Sequence, residues 1–287
     1  VIHDPRGGPN AGTINWSNGF LPAGYQGTVF RATGDPILDL NPPGSVTPEQ
    51  QRARLDHLIR LNEEHARKYP DNTELAARIA SYELAYRMQA TATEAVDLSR
   101  ESEATKRLYG FGNQDTEPFG RCCLLARRMV ERGVRFVQLF TKNQDWDHHG
   151  DIKKSLPASC KKIDRPIAAL VKDLKGRGLL DSTVVHWGGE MGRLPVVQNT
   201  RNAGRDHNTY GFSMWLAGGG FKAGHIHGET DEWGHRSVRD KVNHYDYHAT
   251  LLRLFGLDHD HLNYKRGGRV QSLIDGQPAR VVEEIMA

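Results

Sequence analysis

From Thr116 onward the sequence alternates helix-like and strand-like stretches, and that alternation restricts the chain to a few layered architectures. EPFGRCCLLARRMVERG has the spacing of a helix ending at Gly133, VRFVQLF reads as a buried strand, and DIKKSLPASCKKIDRPIAALVKDLKGRG reads as a long helix closing at Gly178. LLDSTVVHWGG supplies a second strand, GFSMWLAGGG a third, and YDYHATLLRLFGL a further helix ending at Gly256. Strands separated by helices predict an α/β fold, with a mainly parallel sheet and helices on both faces. In such a sheet, binding residues gather just beyond the carboxyl ends of the strands.

Upstream the rhythm differs. Residues 1–46 are rich in Gly, Pro and Asn with no sustained period, which predicts a long irregular segment of the surface or of a site. Thr47, followed by Pro48 and Glu49, reads as an N-cap with proline at the first helical position. Between residues 47 and 110 the composition turns to Ala, Arg, Glu and Leu, broken at KYPDNTE, where Pro70 stops one helix and Asn72 or Thr73 caps the next. This stretch reads as a helical insertion within a single domain spanning residues 1–287. The opening VIHDPRGGP resembles the end of a strand entering a loop, and the expectation is an amino-terminally truncated or processed chain.

Fourteen histidines are unevenly placed: eleven lie between His148 and His261. Asp145, Asp147, His148 and His149 follow the first expected strand; Glu190 and Arg193 follow the second; Asp206 and His207 immediately precede the third. Carboxylate mixed with imidazole is the donor set of Zn, Mn and related ions, whereas Ca and Mg favour oxygen alone. Asp147 and His149 alternate by two, so an extended segment points both the same way. In the bland alternative these are surface or core residues with ordinary hydrogen bonds, and that reading is preferred for His57, His65, His259 and His261. Cys122 and Cys123 are adjacent and Cys160 stands alone, which suggests buried thiols rather than a disulfide framework or a CxxC metal pair. A formal net charge of +3 with dispersed basic residues gives no footprint for nucleic acid, and no apolar run reaches the ~18–20 residues of a membrane span.

WDHHGDIKKSLPASC, WGGEMGRLP, GRDHNTYGFSMWLAGGGFKAG and HYDYHATLLRLFGLDH, with the earlier GGPNAGTINWSNGFLPAGYQGTVFR, together resemble the bacterial family catalogued as domain of unknown function 1501, often labelled sulfatase-like. The resemblance implies the alkaline phosphatase and sulfatase superfamily, with one or two divalent metals (Zn, Mn or Ca) at the carboxyl edge of its sheet. It implies Asp147, His149, Glu190 and His207 as metal ligands, while Asp246 and His248 lie near the site rather than in it; Asp206, beside His207, completes the expected ligand set. Asp206 has a second possible role, orienting a ligating histidine through its other ring nitrogen. Arg193 is the candidate for contacting an anionic substrate, and its alternative is a salt bridge holding its own loop.

The expected activity is metal-dependent hydrolysis of sulfate or phosphate esters, on a small anionic ester or a sulfated or phosphorylated glycan. The C/S-x-P-x-R nucleophile motif of sulfatases is not found in the chain. Related chains begin upstream, where the resemblance places a nucleophile and a further ligand. The alternative function is a non-catalytic metal-binding or scaffold protein that keeps the fold. Family habit implies a periplasmic or secreted location.

Overall fold

The computed structural model describes residues 1–19, 21–37, 44–70, 72–266, 268–274 and 276–287. The chain divides into two compact units, Val1–Asp145 with Arg165–Ile167, and Trp146–Asp164 with Ala168–Ala287.

In the first unit, β1 (Ile2–His3) is the central strand of a parallel sheet between β2 (Phe30–Arg31) and β3 (Leu139–Phe140). Ile2 is fully buried there. Among the described residues, four α-helices separate β2 from β3: α1 (Pro48–Arg67), α2 (Thr73–Val96), α3 (Glu103–Leu108) and α4 (Glu117–Glu131). Helix α1 begins as its sequence dictates: the Thr47 hydroxyl accepts from Gln50 N while Gln50 Oε1 accepts from Thr47 N, a reciprocal capping box. Thr47→Ala is therefore expected to lower stability by about 1 kcal/mol, read as a reduced urea midpoint with unchanged slope. The Asn72 side chain caps α2 by accepting from Glu74 N. Arg52 of α1 bridges to Glu83 of α2 at 2.7 Å and holds the two helices as a hairpin.

Helix α4 is the core element of this unit. Phe119, Cys122, Cys123, Leu124, Leu125, Ala126 and Met129 are all buried. Burial lifts both thiols above their ordinary range, which keeps them protonated and unreactive. Gly120 lets the helix pass against Tyr109, since an added Cβ would stand 2.1 Å from the Tyr109 carbonyl oxygen. Arg127, 1% exposed, pairs with Glu101 and with Glu131, each at 2.7 Å. Arg128 binds the other Glu101 oxygen and donates to the carbonyls of Ala95 at 2.8 Å and Glu94 at 2.7 Å, so the end of α2 is tied to α4.

The second unit begins with a loop that enters α5 (Ile152–Gly176). Then follow β4 (Val185–Trp187), β5 (Gly192–Arg193), β6 (His207–Asn208), β7 (Trp215–Ala217), β8 (Glu229–Thr230), β9 (Ser237–Arg239), α6 (His244–Leu254), β10 (Asn263–Arg266) and β11 (Arg269–Ser272). The pairs β4–β7, β5–β6, β8–β9 and β10–β11 are all antiparallel. Helix α6 is anchored by Asp246: its carboxylate accepts from Asn243 N in a second capping box and from Arg280 N, while Thr250 links the helix to Val282. Left-handed glycines end the helices as the sequence predicts, with φ of 85° at Gly133, 69° at Gly178 and 73° at Gly256. Among the described residues no helix is long and apolar enough to cross a membrane.

The expected mainly parallel sheet with helices on both faces is not what forms. Among the described residues the parallel sheet has three strands of two residues each, and the remaining strands are small antiparallel pairs. Of VRFVQLF only Leu139 and Phe140 join a sheet, and Phe136 is 73% exposed. TVVHWGG and GFSMWLAGGG do pair, as β4 and β7, but in opposite directions, with Val185 against Ala217 and Trp187 against Trp215. The reason lies in the connection. Parallel neighbours need a crossover, ordinarily a helix, whereas residues 188–214 contain only the β5–β6 pair, so the chain returns antiparallel. Gly188 and Gly189 follow β4 and Gly218, Gly219 and Gly220 follow β7, the last three at positive φ, which keeps both strands at three residues.

Candidate metal centre

Two segments of the second unit build a cluster around one carboxylate. Asp147 and His149 come from the loop before α5, and Arg193 and His207 from β5 and β6, where they are direct cross-strand partners. Residues opposite each other in an antiparallel pair project to the same face, which is why Arg193 and His207 reach one acceptor. That acceptor is Asp147 Oδ1: Arg193 Nη2 lies 2.5 Å away, His149 Nε2 3.0 Å and His207 Nε2 3.1 Å. The two imidazole rings are 4.9 Å apart between centroids. The guanidinium of Arg193 holds the Asp147 carboxyl below the ordinary carboxylate range, assisted by His207 and opposed by partial burial.

The loop keeps this shape through backbone contacts. Arg205 N donates to His148 O at 2.9 Å, Ile152 N to Ala203 O at 3.0 Å, and Leu194 N to Asp206 O at 2.8 Å. Gly204 is required at the closest approach: a Cβ there would stand 2.0 Å from His149 O and 2.5 Å from Gly150 N. Arg193 Nη1 donates to the Arg205 carbonyl at 3.1 Å, which ties its side chain to the same loop.

Asp147, His149 and His207 each offer one ligand atom, and those atoms lie within 4.8 Å of one another, a spacing that can hold one metal ion. The donor set, one carboxylate and two imidazoles, suits the Zn and Mn class better than Ca. Glu190 is exposed between β4 and β5 and lies outside this group. Asp206 lies outside it too: its carboxylate caps His207 N at 2.8 Å and stands 3.7 Å from His149 Nδ1, beyond hydrogen-bond reach. Gln198 takes up that ring nitrogen instead, with Oε1 at 2.8 Å from His149 Nδ1. When Gln198 accepts from Nδ1–H, Nε2 is left with the lone pair a metal takes. Nothing in the sequence marks Gln198, one of three side-chain amides in the loop VVQNTRNAG. Asp246, as described above, is spent on anchoring α6.

Asp258, His259 and Asp260, after α6, form a second group with ligand atoms equally close. There Asp258 is paired with His261 at 2.7 Å, and His259 Nε2 lies 3.4 Å from Ala279 O.

Compared with known proteins, residues 1–286 match the family described as "Protein of unknown function (DUF1501)". No curated protein and no solved structure matches the chain.

Proposed function

The chain belongs to the DUF1501 family of proteins of unknown function, and we propose that it holds one divalent ion of the Zn or Mn class at Asp147, His149 and His207 and uses it on small anionic esters of sulfate or phosphate. The observation that carries the reading is the convergence of one carboxylate oxygen and two imidazole nitrogens within 4.8 Å, beside a guanidinium. An ion bound there supplies Lewis-acid polarisation of an ester oxygen. Asp147 and the two histidines fix its position, Gln198 orients His149, and Arg193 matches the paired oxygens of a sulfate or phosphate group with a planar fork of donors.

A second reading, metal binding without turnover, is favoured by the neighbours of the cluster. Among the described residues, the side chains that hydrogen-bond to Asp147 and His149 are Arg193, His207 and Gln198, none of them a hydroxyl or thiol nucleophile.

Calorimetric titration of dialysed protein with ZnCl2 and MnCl2 separates these outcomes. One equivalent is expected to bind, and His149→Ala or His207→Ala should weaken it by about 100-fold or more while circular dichroism stays unchanged. Absence of binding by the wild-type chain overturns the metal site. A panel of aryl sulfates, phosphomonoesters and phosphodiesters then decides between the readings: turnover removed by the same substitutions supports hydrolysis, and silence with metal bound supports the second.

A further inference from the structure

We infer that Arg193 and the divalent ion compete for Asp147, so that metal binding releases the guanidinium to take an oxyanion, and metal and anion bind cooperatively. The inference rests on the metal site proposed above and adds a linkage between its two ligands.

Three nitrogens crowd a single oxygen of Asp147, and the nearest belongs to the guanidinium, at 2.5 Å. An ion ligated by Asp147 Oδ1 and the two Nε2 atoms would sit among those nitrogens. It would place a divalent charge a few ångströms from the guanidinium, on the same acceptor, and like charges at that distance repel strongly in a partly buried setting. Asp147 and Arg193 are 30% and 25% exposed, so water screens the repulsion only in part. The guanidinium therefore gives way.

Its route is constrained by its second contact. Nη1 donates to the Arg205 carbonyl, which belongs to the loop that packs on His148 and precedes His207. Held there, Nη2 can leave Asp147 without the side chain leaving the site. A guanidinium beside a divalent ion then has unspent donors, and the species that satisfies both is an oxyanion with several equivalent oxygens, one toward the ion and a pair toward the fork. Sulfate and phosphate have that shape; a neutral or monodentate ligand does not. In the metal-free protein the same guanidinium is occupied by Asp147, so an anion alone finds a poor site. The coupling is reciprocal by linkage: whatever factor the anion adds to metal affinity, the metal adds to anion affinity.

The test is zinc titration by calorimetry, in sodium chloride and in sodium sulfate at matched ionic strength, for wild type and Arg193→Met. Wild type is expected to bind zinc about tenfold more tightly in sulfate. Arg193→Met, lacking the competitor, should bind zinc about fivefold or more tightly than wild type in chloride and show no further gain in sulfate. Should Arg193→Met fail to keep the wild-type circular dichroism spectrum, Arg193→Lys serves instead: it retains the charge but loses the fork, and its sulfate effect should fall to less than about threefold. Zinc binding that sulfate leaves unchanged in wild type, or that Arg193→Met weakens, overturns the linkage while leaving the metal site standing. Failure of the wild type to bind zinc in either salt overturns the site itself, and the linkage with it.

Discussion

Glu101→Ala is expected to lower the stability of the first unit by about 3–5 kcal/mol, the cost of breaking a buried ion pair from one side. Glu101 is the shared counter-ion of two guanidiniums on adjacent residues of α4, and all three side chains are under 10% exposed. Removing the carboxylate leaves Arg127 with Glu131 as its remaining counter-ion and Arg128 with backbone carbonyls and the Glu94 carboxylate 3.9 Å away, so the two guanidiniums lose the buried charge they share. The readout is hydrogen exchange of the α4 amides together with urea unfolding. A loss below about 1 kcal/mol would mean that the pair behaves as a solvated one.

The same residue fixes a pH dependence. Burial pushes the Glu101 carboxyl upward, but Arg128 and Arg127 outweigh it and leave it below its ordinary value. For a carboxyl depressed in the folded state, the stabilisation is complete above its unfolded value and is lost as pH falls through the folded one. Wild-type stability should thus decline below about pH 4.5, and Glu101→Gln should flatten part of that decline.

Gly204→Ala is the second large effect, and it acts on the candidate site. The new methyl would meet backbone atoms of His149 and Gly150 rather than a movable side chain, so the loop carrying Asp147 and His149 must separate from the segment leading to His207. Destabilisation of about 1–3 kcal/mol and at least a tenfold loss of zinc affinity are expected, because ligands displaced by even about 1 Å no longer converge. Gly189→Ala is the control: its added Cβ meets nothing closer than 3.9 Å, and zinc affinity should stay within about twofold of wild type. Equal losses in both variants would show that Gly204 has no special role in holding the cluster.

The sequence made its helices legible and its sheet illegible for different reasons. Helix ends are local: Thr47 with Pro48, Asn72, and the glycines at 133, 178 and 256 act within a turn of where they stand, and each is found at a helix terminus. Strand direction is not local. The runs that became β4 and β7 look alike whether they pair parallel or antiparallel, and only the lack of a helical pattern between Gly188 and Gly211 carries the answer. At the site, Asp147 and His149 declare themselves by spacing and His207 by its place before an apolar run, and the structure gathers all three. Glu190 follows its strand as closely as any of them, yet the turn after β4 leaves it exposed, and no spacing rule reports where a loop goes. Gln198 has no signal because its importance arises only from folding a loop back onto His149.

Metal ligation by Asp147, His149 and His207 is tested most directly by a crystal structure of zinc-loaded protein with anomalous diffraction collected on both sides of the zinc edge. One strong peak is expected in the second unit, bonded to Asp147 Oδ1 and to His149 and His207 Nε2 at about 2.0–2.2 Å. A peak located instead at Asp258, His259 and Asp260, or no ordered zinc at Asp147 with the metal at saturating concentration, would contradict it.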